Sequence, residues 1–124
     1  MKLASCTAAA SLALASPAFA TGTILCRSTA SPSNGPELSL VIGPTGVSQV
    51  HFALGNERFT TGGDGAPMIG QSWLDRDSLR LDIFDSNADA RLVRLDTRRR
   101  GGSDHLGILI HRGRTWRVRC SEEG

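Results

Sequence analysis

Seven arginines near the C-terminal end are the residues whose type and spacing most directly suggest chemistry. Arg98, Arg99 and Arg100 are consecutive, and Arg112, Arg114, Arg117 and Arg119 follow closely. A guanidinium presents a rigid fork of donors that matches carboxylate and phosphate oxygens two at a time. Of the 14 basic residues only Lys2 is a lysine, and from Arg91 onward the acids are Asp96, Asp104, Glu122 and Glu123 alone. The C-terminal part is therefore expected to present a basic surface for an anionic partner, an envelope polymer or an acidic protein surface. The competing expectation is a solvated basic face balanced by Asp75, Asp77, Asp82, Asp85 and Asp89 on neighbouring strands.

Other candidate chemistry is thinner. His51, His105 and His111 follow no metal-ligand spacing, and the alternation around them places each on or near an exposed strand face. Asp85-x-Asn87-x-Asp89, with Asp96 beyond, partly matches a calcium loop. Ala90 stands where that loop needs glycine, and Asp96 replaces the longer glutamate, so an Asx turn accounts for the same letters. Gly62 to Pro67 is glycine-rich, yet no lysine or helix follows to complete a phosphate loop. There is no Gly-x-Ser-x-Gly elbow and no thiol left over as a nucleophile. Trp73 and Trp116 read as core or barrel-rim residues. The expectation is a protein without catalytic residues, metal or other cofactor.

The elements that must carry these residues are strands. Short runs of alternating apolar and polar residues, punctuated by Gly, Pro, Asn and Asp, run along the chain with no helical period. The predicted strands are Thr23 to Ser28, Glu37 to Ile42, Val47 to Leu54, Glu57 to Thr61, Met68 to Trp73, Ser78 to Asp85, Ala90 to Thr97, Leu106 to His111 and Thr115 to Ser121. Gly43-Pro44-Thr45-Gly46 and Arg112-Gly113 read as hairpin turns, and Arg98 to Gly102 as a loop. Leu106, Ile108, Ile110, Trp116, Val118 and Cys120 are the expected inward set of the last hairpin. Arg117 and Arg119 then share its outer face.

The fold class that follows is all-β, a small antiparallel barrel or sandwich of about eight short strands. Met1 to Ala20 has the form of a cleavable signal peptide: Lys2, an apolar or small run from Leu3 to Ala15, Pro17, then Ala18-Phe19-Ala20 before the cut. Cleavage removes Cys6 and the only lysine and leaves one domain, 21–124, in the periplasm or secreted. No later segment is apolar enough to stay in a membrane, and an exported domain makes nucleic acid an unsuitable partner. Cys26 and Cys120 remain as an even pair in an oxidising compartment, so a disulfide is expected to tie the first strand to the last.

The layout resembles that of the small periplasmic inhibitors of C-type lysozyme, with Ile24-Leu25-Cys26 near the start and Val118-Arg119-Cys120 near the end. That resemblance implies an antiparallel barrel bridged near its ends and, as an alternative function, a lysozyme-inhibitor-like protein. Gly55-Asn56-Glu57-Arg58-Phe59-Thr60 stands where the inhibitory loop would be. It lacks that loop's serine and has Phe where Tyr is usual, so no inhibitory residue is carried over.

Overall fold

Alternating apolar residues bounded by turn formers produce nine strands here, because a period of two puts every second side chain on one face of a pleated sheet. The computed structural model describes residues 22–123; the segment expected to be a signal peptide, with Lys2 and Cys6, lies outside the described residues. The strands are β1 (Gly22–Ser28), β2 (Glu37–Gly43), β3 (Gly46–Leu54), β4 (Glu57–Thr60), β5 (Met68–Leu74), β6 (Ser78–Phe84), β7 (Arg91–Arg99), β8 (His105–His111) and β9 (Arg114–Glu123). All pair antiparallel in one sheet, in the order β4-β3-β2-β1-β9-β8-β7-β6-β5.

The order is that of a meander whose first and last strands pair. Only β4 and β5, consecutive in the chain, are not hydrogen-bonded to each other, so both edges of the sheet lie there and not at the chain ends. The sheet curls into a half-barrel, and β3 packs against β5 across the gap. Its concave face holds the core, with Leu38 and Leu40 from β2, Val50 from β3, Leu79 and Ile83 from β6, Val93 from β7 and Leu109 from β8 fully buried.

Cys26 and Cys120 are directly opposite in the β1–β9 pair and form the expected disulfide, both fully buried. The bridge therefore ties together two strands whose contact spans almost the whole chain.

Two expectations need correcting. Arg98 and Arg99 belong to β7, which runs beyond Thr97 because Arg98 pairs with Leu106 and Arg99 with His105; only Arg100 is in the connection. On β8 the inward set is His105, Leu109 and His111, while Leu106 and Ile110 are half-buried and Ile108 is exposed.

The reason for the second correction is the turn. Arg112 and Gly113 both have positive φ, 53° and 75°, as a two-residue hairpin turn that follows strand twist requires. That turn sets His111 opposite Arg114 and hence Gly107 opposite Val118 and His105 opposite Cys120. Directly opposed residues share a face. If Val118 and Cys120 point inward, Gly107 and His105 must do so too, and Leu106, Ile108 and Ile110 must turn out.

Candidate functional site

The outward turn of β8 builds the arginine face. Leu106 is flanked by Arg119 of β9 and Arg98 of β7, and Ile108 by Arg117 and Asp96. Arg27 of β1 lies on the other side of Arg119. The result is an apolar stripe on β8 between two guanidinium-bearing strands, where arginine stems can cover aliphatic surface while their heads stay in water. Some of this charge is balanced: Arg27 Nε is 2.8 Å from Glu37, Arg80 3.6 Å from Asp96, and Arg119 3.4 Å from Asp104. Arg98 and Arg117 have no ion pair among the described residues.

The other predicted arginines lie elsewhere. Arg99 borders a cleft at one end of the half-barrel, and Arg100 sits in the β7–β8 connection, where its backbone N–H donates to Asp104. Arg112 and Arg114 stand at the opposite end of the last hairpin. Arg114 stacks over Trp116, its Cζ 4.1 Å from the ring centroid. Arg112 Nε and a terminal nitrogen donate to the two oxygens of Glu57, each at 3.1 Å.

Glu57 also accepts from His111, and this corrects the exposed placement of that histidine. His111 is buried, with Nδ1 2.8 Å from the Leu92 carbonyl oxygen and Nε2 3.0 Å from Glu57 Oε1. Both partners are oxygen acceptors. Phe52 packs on the same ring and stacks on Phe59. The group thus latches β4, at one edge of the sheet, to β8 across the half-barrel. Hydrogen bonds from Arg112 and then His111 hold the Glu57 carboxyl below its ordinary pKa.

Glu57→Gln is expected to cost about 1–3 kcal/mol, because it weakens or removes the partner of a buried ring nitrogen; exposed Arg112 adds little. A depressed carboxylate stabilises the fold fully above its unfolded pKa and loses that effect as pH falls through the folded value. Acid unfolding curves should therefore differ most between the two proteins at neutral pH and converge below the ordinary glutamate range.

His105, also expected to be exposed, is only 7% exposed, and its Nδ1 has no hydrogen-bond partner among the described residues. Burial, and then the charge of Arg99, push its pKa down. His51 alone of the three is exposed as expected, its Nδ1 2.9 Å from Thr60 Oγ1. No group of three or more His, Cys, Asp or Glu suited to a metal occurs among the described residues.

The remaining candidates are turns. Asp85 Oδ1 accepts from the Asp89 N–H at 2.8 Å, and Ala88 takes φ 61°, an Asx-stabilised hairpin connection. In the glycine-rich loop the Gly62 and Ala66 amides donate to Pro67 and Gly63 of the same loop. Asp75 accepts from the Asp77 and Ser78 amides, both at 2.8 Å, and from Trp73 Nε1 at 2.9 Å, and these bonds lower its pKa to about 2. Glu57–Thr60 of the compared inhibitory segment forms edge strand β4.

Comparison of the chain with protein-family models, with curated proteins and with solved structures finds no match, so its functional reading rests on its own residues. The buried disulfide is compatible with an extracellular or periplasmic protein. No helix among the described residues is long and apolar enough to cross a membrane.

Proposed function

We propose that this protein is an exported, non-enzymatic binding domain, periplasmic or secreted, that engages an anionic envelope polymer or acidic protein surface through its outer arginine face. The observation carrying this reading is that Arg98 and Arg117, from strands on either side of β8, and Arg119 beside Arg117 on β9 border one outward stripe of half-buried Leu106 and exposed Ile108. Arg98 and Arg117 have no neighbouring acid within ion-pair distance among the described residues, so a partner's carboxylates or phosphates meet guanidinium groups that need not first break a contact. Aliphatic side chains between them add a surface that excludes water around each charge pair.

Polyphosphate and poly-glutamate serve as defined probes. Binding is expected to weaken steeply with added salt, since exposed charges are screened over about 8 Å at physiological ionic strength. Replacing Arg98, Arg117 and Arg119 together by glutamate is expected to reduce affinity at least tenfold, roughly 1.4 kcal/mol, with the fold intact because all three are exposed. Salt-independent binding, or full binding by the triple variant, would sink the proposal.

A further inference from the structure

The end of the half-barrel opposite the Glu57 latch opens into a cleft of about 730 Å³ between the β2–β3 turn, the β5–β6 turn and the ends of β1, β7 and β9. This lies within the roughly 300–1,000 Å³ of small-molecule sites, for which the mouth of a β-barrel is a common position. The wall is sorted by chemistry. Ile42, Pro44 and Val47 from the β2–β3 side and Leu74 from β5 are apolar. Arg76 and Arg99 stand on the β6–β7 side; on β9 Glu122, opposite buried Ile24, faces the cleft, and its neighbour Glu123 turns outward.

None of Arg76, Arg99 and Glu122 has an ion-pair partner among the described residues. Asp75, the other acid lining the cleft, is already occupied by its own turn and by Trp73 Nε1. Trp73 pairs with exposed Arg80, so its indole, 59% exposed, turns to the outer face, whereas Leu74, opposite buried Leu79, turns inward. His105 also lines the cleft and is more than nine-tenths buried.

We propose that this cleft binds a zwitterionic amphiphile, with its anionic group at Arg76 and Arg99, its amine towards Glu122, and its apolar chain against Leu74 and the β2–β3 turn. A purely anionic head would face Glu122, and a purely cationic one the two arginines. A dipolar head with an acyl or alkyl chain uses every sector. The site is separate from the outer arginine face and stands or falls independently of it.

The test is calorimetric titration with dodecylphosphocholine, dodecyl phosphate, dodecyltrimethylammonium and dodecyl maltoside, each below its micelle-forming concentration. Dodecylphosphocholine is expected to bind one per chain and most tightly, and its saturation to shift the His105 ring resonances. Arg76→Ala with Arg99→Ala should weaken it about tenfold or more, the scale of losing charge-assisted hydrogen bonds. Glu122→Gln should remove its advantage over dodecyl phosphate. The proposal is overturned if no probe binds, if dodecyl maltoside or dodecyl phosphate binds the unaltered protein equally well, or if the arginine pair can be removed without effect. A loss seen instead in an Arg98→Glu, Arg117→Glu variant would place the ligand on the outer face and overturn it equally.

Discussion

Reduction of the Cys26–Cys120 bridge is expected to lower folding stability by about 4 to 5 kcal/mol. The two residues are 94 apart in the chain, so the cross-link removes nearly as much freedom from the unfolded state as a single bridge can in a domain of this size. The folded state gives it little to distort, because β1 and β9 already place the cysteines opposite each other. Domains of this kind are stable by roughly 5–15 kcal/mol in total, so the reduced chain should be marginal. Reduction leaves the core atoms in place and thereby isolates the cross-link from any loss of packing. In urea, with slopes of about 1–3 kcal/mol/M, the midpoint should fall by roughly 2 M. The native bridge should resist reductant until the domain opens, since both cysteines are fully buried. A midpoint that moves by only a few tenths molar would show that the β1–β9 pairing persists in the unfolded chain.

Gly107→Val is the second large effect, a loss of about 3 kcal/mol. A Cβ at this position would overlap the Asp96 carbonyl oxygen and come within 2.6 Å of Thr97 Cα. Those atoms are backbone of β7, paired on both sides, and cannot rotate away. Valine is the better strand former by about 1 kcal/mol, but that gain is smaller than the cost of forcing two central strands apart. The melting temperature should drop by roughly 15 °C. Ile108→Ser on the next residue should cost less than about 1 kcal/mol, as surface substitutions do, because Ile108 faces outward beside Arg117. Thermal unfolding of the two variants side by side tests the facing of β8. An order reversed from this one would return Ile108 to the interior.

That facing also shows how far the sequence could be read. All nine strands are legible, because alternation and turn residues are local signals: Leu79, Leu81 and Ile83 against Arg80 and Asp82 need no partner to be recognised. The facing of β8 follows from the sequence once the turn is used. A two-residue turn at Arg112-Gly113 makes opposed positions sum to a constant, and that sum is incompatible with Val118 and Ile108 both pointing inward. Apolarity alone misleads there, because Leu106, Ile108 and Ile110 are three of the strand's four large apolar residues and yet serve its outer face.

The latch and the cleft had no such signal. Glu57, His111 and Arg112 are far apart in the chain, and nothing in the spacing of Glu57 indicates that β4 reaches the β8 end. His105 reads as an ordinary surface residue until its opposition to Cys120 is known. Arg99 likewise left the predicted arginine cluster for the cleft, because neighbours on a strand point to opposite faces.

The seven arginines were visible from the start, and the sequence alone determined that strands carry them, that a disulfide joins the ends, and that Arg117 and Arg119 share a face. Only the tertiary structure decided which arginines meet. Strand period and turn type are set within a few residues, whereas the neighbours of a side chain on a curled sheet depend on the register of strands from distant parts of the chain, and on the curl that brings sheet ends together.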